Sequence, residues 1–168
     1  MAKLPIKKFN DPILREKCEK VEKIDSKIRN LIDDMTDTMY ENYGIGLAGP
    51  QVGVKKRIVV AQPDLSDFPP LVLINPKITK KSREKTIEEE GCLSFPGIFL
   101  KIKRPKEVEV EALNREGKKI KLKTEGILAR VVQHEIDHLN GILFFNRLNF
   151  FQKIIFKITH PKIKGVFL

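Results

Sequence analysis

The 168-residue sequence has no tryptophan, two tyrosines, two cysteines and three histidines. Cys18 and Cys92, far apart in the chain, cannot staple a small secreted scaffold, so a disulfide framework is excluded and a reducing compartment is expected. No apolar run approaches the ~20 residues that a membrane-spanning helix needs. The opening Met1-Ala2-Lys3-Leu4-Pro5 lacks the apolar stretch of a secretory signal. The expected location is the cytoplasm, with no membrane partner. No internal repeat, low-complexity tract or linker breaks the chain, so residues 1–168 are expected to form one domain.

Apolar residues make up 41% and charged residues 32%, enough apolar material for a core and too much for a disordered polyelectrolyte. Lys and Arg outnumber Asp and Glu by 32 to 22, a formal charge of +10. Such an excess favours nearness to polyanions such as RNA without specifying any chemistry. It continues to the end of the chain, where residues 149–168, read as a basic C-terminal helix and tail, carry four lysines and no acid.

Asp25-Ser26 can cap a helix in which Ile28, Leu31, Ile32, Met35 and Met39 share one face, ending near Asn42. Short β-like runs follow at 57–61, 71–74, 98–102, 108–113 and 119–123. The last two alternate apolar and charged residues across Asn114-Arg115-Glu116-Gly117, an antiparallel hairpin pattern. A second helix should run from about Glu125 to Asn140-Gly141, and a third, amphipathic, from about Asn149 to Ile158, broken by His160-Pro161. In the second helix Arg130, Gln133, Asp137 and Asn140 form a narrow polar stripe expected to meet water, while apolar residues fill most of the remaining circumference. The expected class is α+β: mixed, mostly antiparallel short strands packed around a central metal-binding helix.

That central helix carries His134-Glu135-Ile136-Asp137-His138, an H-E-x-x-H match. Residues four apart stand one turn above each other, so both imidazoles can reach one cation, with Glu135 beside the remaining coordination position. Two imidazoles and a carboxylate on a buried helix would be costly without a cation to pair them. At about 100° per residue, Ile127 and Val131 fall on the same face as His134 and His138. A substrate held at the metal should therefore meet an apolar pocket.

A catalytic site of this kind needs a third protein ligand and one open position. The familiar peptidase layouts fail to supply it. Residues 139–168 contain no Asp or Glu, and Phe144 stands where the extended motif would place a further histidine. The third ligand must come from His160 or from upstream, where Cys92 lies in a short polar turn.

Three motifs in order, Gly44-Ile45-Gly46-Leu47-Ala48-Gly49-Pro50-Gln51, Glu90-Gly91-Cys92-Leu93-Ser94 and Gln133-His134-Glu135-Ile136-Asp137-His138, make the sequence resemble the peptide deformylases. The resemblance runs from about Asn10 to about Leu148. It implies that Cys92, His134 and His138 bind the metal, with Fe2+ as the native ion and Zn2+ as an alternative occupant. Thiolate and imidazole ligation by itself favours zinc. The resemblance further implies that Glu135 is the general acid/base and that the Gln51 amide and Leu93 N–H steady an oxyanion. It implies a formylmethionyl nascent peptide lying as an extra strand near Ile45, Gly46 and Leu47, with its methionine in a pocket near Ile127 and Val131, and formate as a product. Gly49 stands where the family usually has alanine, which should add freedom to the loop that aims Gln51. The stretch Phe95–Phe99 lacks an arginine that some members place near position 99.

Gly44-x-Gly46-x-x-Gly49 also spells a dinucleotide-binding pattern, but here a helix precedes it and a strand follows, the reverse of what that pattern requires. The alternatives to a deformylase are a zinc peptidase of the H-E-x-x-H type and a basic ribosome- or RNA-associated protein with a structural metal, which would need a fourth protein ligand. Transient ribosome contact through residues 149–168 is expected from their charge, without sequence-specific nucleic acid binding.

Overall fold

The structure is a computed structural model, described over residues 3–62, 69–161 and 163. Asp25 is extended, and its side chain accepts the Ile28 N–H at 3.0 Å, capping α1 (Ser26–Glu41). Ile32, Met35 and Met39 recur at helical spacing and are buried. Among the described residues seven strands follow: β1 (Gly46–Ala48), β2 (Ile58–Ala61), β3 (Leu71–Lys81), β4 (Lys85–Cys92), β5 (Phe95–Pro105), β6 (Glu107–Leu113) and β7 (Lys119–Glu125). Then come α2 (Gly126–Leu139) and α3 (Phe150–Thr159). Among the described residues no helix is long and apolar enough to cross a membrane.

The strands form a five-stranded sheet in the order β1-β2-β3-β6-β7 and a separate β4-β5 hairpin. Every pairing between these strands is antiparallel, and the parallel contact among the described residues is an isolated bridge between Glu19 and Lys56. The α+β expectation holds, with less parallel character than the word mixed implied. The hairpin at 114–117 forms as expected: the Gly117 N–H donates to Asn114 O, and Leu113 pairs with Lys119.

Helices cover both faces of the large sheet, which explains why all four residues of β2 are apolar and buried. Ile58 and Val60 pack with Ile32, Met35 and Met39 of α1. Val59 packs with Ala129, Val132, Ile136 and Leu139 of α2. A third cluster joins β5 to the segment after α2, where the Phe95 ring lies 5.3 Å from Phe144 and 5.5 Å from Phe145. Burying side chains of this size contributes about 1.5–3 kcal/mol each.

Two strands escape sequence reading. β1 is only three residues long. β4 contains Glu88-Glu89-Glu90, which shows no apolar alternation; it is held as a strand by its pairing with β5, Glu88 opposite Ile102 and Glu90 opposite Leu100.

Candidate active site

α2 is buried from Ala129 to Leu139. The stripe expected to meet water does so only at Asn140; Arg130, Gln133 and Asp137 are buried. The β4-β5 hairpin lies over that stripe and supplies its partners. The Arg130 guanidinium donates to Glu90 at 2.6 Å, to Ile102 O at 3.0 Å, to Glu88 at 3.2 Å and to Thr86. Gln133 Nε2 donates to Pro105 O at 3.0 Å.

This packing carries the end of β4 to the two histidines. Cys92 closes β4, immediately before the turn Leu93-Ser94, and its Sγ lies 3.3 Å from His138 Nε2. One donor atom from each of Cys92, His134 and His138 lies within 4.8 Å of the others, and no fourth metal-ligating side chain joins them among the described residues. His160, the other candidate, caps the end of α3 with its ring stacked on Phe156 at 4.5 Å, apart from this group.

Charged side chains hold the group from behind. Glu90 accepts from His134 Nδ1 at 3.0 Å and from Arg104 at 2.6 and 3.0 Å. Arg104 also donates to Asp137 at 2.7 Å, and Asp137 is bound by Arg147. Removing one partner from such a buried network typically costs about 3–5 kcal/mol, the scale at which a marginally stable domain fails. Burial works against the charge on Glu90, yet the hydrogen bonds from His134 and Arg104 outweigh it and bring its pKa down to about 2. Burial likewise opposes charge on His134, but its bonds to Cys92 and Glu90 hold its pKa well above the usual imidazole value. Burial, reinforced by the positive His134 and Arg104, drives His138 well below that value. The site therefore keeps His138 neutral, the form that ligates a metal, and a bound cation would take the place of the proton on His134.

Glu135 and Gln51 face the same space. Burial pushes the Glu135 carboxyl up to about 7, against the pull of His134 and Arg104. Its Oε2 is buried and has no hydrogen-bond partner among the described residues. β1 approaches it closely: a Cβ on Gly46 would stand 2.7 Å from Glu135 Oε1 and 2.6 Å from Val131 Cγ1, so only glycine fits. The buried Gln51 accepts the Ala48 N–H at 2.8 Å through Oε1, which turns Nε2 toward Cys92 Sγ at 3.5 Å and Ser94 Oγ at 3.4 Å. The freedom expected of Gly49 is not realised. A Cβ there would meet the Lys56 carbonyl oxygen at 2.5 Å and that of Val54 at 2.9 Å, so this glycine serves close packing and the Gln51 loop is tight.

These groups open into a cleft of about 560 Å³. Ile45, Gly46, Gln51, Cys92, Leu93, Ile127, Val131, His134 and Glu135 line it. The apolar wall expected from Ile127 and Val131 is present, bounded by the Arg130–Glu88 ion pair. Leu47 is the exception: its side chain is in the α1 core and does not line the cleft. β1 is an edge of the sheet, so its outer backbone can accept another strand. Sequence reading missed Arg104, which looks like one more cation in Lys101-Ile102-Lys103-Arg104. The available signal was the polar stripe on a helix otherwise apolar enough to be buried.

The residues present fit a divalent cation. A thiol and two imidazoles converge, a buried carboxylate oxygen beside them lacks a partner, and a three-donor set leaves a coordination position open.

A sequence model of the family described as "Polypeptide deformylase" matches residues 3–153. The chain is 50% identical over 149 residues to a peptide deformylase of Halothermothrix orenii, covering 88% of this chain and 95% of that one. It is similar to the crystal structure of peptide deformylase from Thermus thermophilus, with a TM-score of 0.90, 40% identity, and coverage of 95% and 94%. It is also similar to that from Ehrlichia chaffeensis in complex with actinonin, with a TM-score of 0.87, 42% identity, and coverage of 98% and 99%.

Proposed function

This chain belongs to the polypeptide deformylase family, enzymes that hydrolyse an N-formyl amide, and from that premise we propose that it deformylates formylmethionyl nascent peptides with a divalent metal held by Cys92, His134 and His138. The convergence of the Cys92 thiol on the two α2 imidazoles, with a Glu135 oxygen beside them that has no hydrogen-bond partner among the described residues, carries this reading. When bound, the cation would supply Lewis acidity, bringing the pKa of water at its open position toward about 7.

The chain's own groups divide the remaining work. Glu135, poised near neutrality, takes the proton of the attacking water and returns it to the departing amine. Gln51 Nε2 and the Leu93 N–H donate to the oxygen that becomes negative as water adds to the formyl carbon. Cleavage of the C–N bond leaves formate and a free N-terminal amine. The substrate backbone extends the sheet along the edge of β1, near Ile45, Gly46 and Leu47, and its methionine enters the cleft against Ile127 and Val131. Fe2+ is the proposed native ion on grounds of family, with Zn2+ able to take its place.

Residues 1–168 act as one catalytic domain in the cytoplasm. A charge of +10 keeps the enzyme near ribosomal RNA, where its substrates emerge. The expectation that residues 149–168 make that contact rests on their lysines, of which Lys162 and Lys164 lie outside the described residues. The zinc peptidase alternative draws no support because the family matched is polypeptide deformylase, and the structural-metal alternative lacks a fourth donor among the described residues. The metal-loaded enzyme should release formate from a formyl-Met peptide and nothing from its acetyl-Met counterpart. Cleavage of an internal peptide bond with no formate released would contradict the proposal.

A further inference from the structure

The catalytic cleft uses nothing from α3, yet α3 carries a run of large, exposed apolar side chains. Phe150 is 72% exposed, Phe151 74%, Ile155 60% and Ile158 73%, with Ile154 also open. At about 100° per residue these five fall within roughly 140° of arc. Phe156 lies outside that arc and docks the helix, its ring stacked on Phe145 at 6.1 Å. The apolar face therefore turns away from the body rather than into it. Lys153 and Lys157 flank it on one side, and no acid occurs anywhere from His138 to Leu168.

From this arrangement we propose that α3 docks the enzyme on an anionic lipid surface, lying in the plane of the interface with Phe150, Phe151, Ile154, Ile155 and Ile158 among the acyl chains and the lysines at headgroup level. The pairing of bulky apolar residues with flanking cations, uninterrupted by acids, is what such an interface takes. RNA would pair with the lysines and leave the apolar arc in water. A second copy of the chain would bring the same lysine-edged, acid-free helix against itself, setting like charges together. One ten-residue helix gives weak, reversible and salt-sensitive binding, short of anchorage. The expectation of no membrane partner rested on the lack of a spanning segment, which an in-plane helix does not need.

The test is co-sedimentation of the full-length, metal-loaded enzyme with vesicles rich in phosphatidylglycerol and with phosphatidylcholine vesicles. Binding to the anionic vesicles should exceed binding to the neutral ones and weaken as salt rises. Phe151→Ser with Ile155→Ser should lower it roughly 10-fold or more, while deformylation of a short soluble peptide stays at the parent rate, which shows that the fold survives. Lys153→Gln with Lys157→Gln should remove the preference for anionic lipid. Equal vesicle binding by parent and Phe151/Ile155 variant, or none by either, overturns the proposal. So does a dimer that these serines dissolve, or ribosome co-sedimentation that they abolish, since each gives the face to a different partner.

Discussion

The two cysteines both lie against the C-terminal end of α2. The Cys18 N–H donates to Leu139 O at 2.9 Å, and Cys92 Sγ stands 3.3 Å from Nε2 of the adjacent His138. Cys18 packs among Ala48, Val59, Ala129, Val132 and Leu139. Burial pushes its thiol up to about 11, against the pull of Arg57 and Lys55. Cys92 instead meets two imidazoles and the Gln51 amide at the head of a cleft. The same residue type at the same helix end is core filler in one place and the proposed metal ligand in the other. The neighbours decide: apolar side chains favour the neutral thiol, whereas a cation with two imidazoles demands the thiolate.

The sharpest way to break this contrast is to remove each thiol in turn. Cys92→Ala should lose bound metal and reduce turnover to background, while Cys18→Ala keeps both; metal analysis alongside formate release reads the difference. Loss of metal from the Cys18 variant would erase the distinction. Glu135→Ala separates chemistry from binding on the Cys92 side, with an expected loss of roughly 10²–10⁴-fold in kcat and metal content unchanged. Gln51→Ala, which removes the amide aimed at the same space, should cost about 10²–10³-fold in kcat with metal retained.

The smallest effect belongs to Cys18. At about pH 9, a thiol with a pKa of about 11 is roughly 1% thiolate against about half for one at its ordinary value of 9.0. Alkylation of Cys18 in the folded enzyme, slowed by burial as well as by the smaller thiolate fraction, should therefore run at least roughly 50-fold slower than in the denatured chain at that pH. Because the folded value lies above the unfolded one, the stability gained by burying the neutral thiol is complete below about pH 9 and declines as pH rises toward about 11. Urea titrations of the parent across that range should show the decline, and Cys18→Ala should flatten it.

The same contrast marks what sequence could reveal. α1 and α2 were legible because caps and apolar spacing are local: Asp25 and Gly141 stand where the helix ends were expected. His134, Glu135 and His138 were legible because one helix fixes their spacing. Spacing left the third ligand open between Cys92 and His160, because the long-range contact from Cys92 to α2 depends on the β4-β5 hairpin. That hairpin is held by partners rather than by pattern, and Glu88-Glu89-Glu90 reads as a solvated acidic run until Arg104 and Arg130 are seen against it. The polar stripe of α2 was misread for the same reason: its residues meet buried opposite charges instead of water. The C-terminal helix was legible as amphipathic from its spacing, while the outward direction of its apolar face depends on Phe156 docking against Phe145.

The metal-ligand claim is tested most directly by X-ray absorption at the metal edge of the zinc-loaded enzyme. The site built here predicts one sulfur at about 2.3 Å and two imidazole nitrogens at about 2.0–2.1 Å, with the remaining position filled by oxygen, and loss of the sulfur contribution in any residual metal bound by Cys92→Ala. A parent spectrum without sulfur, or with a fourth protein nitrogen or sulfur closing the coordination, would contradict it.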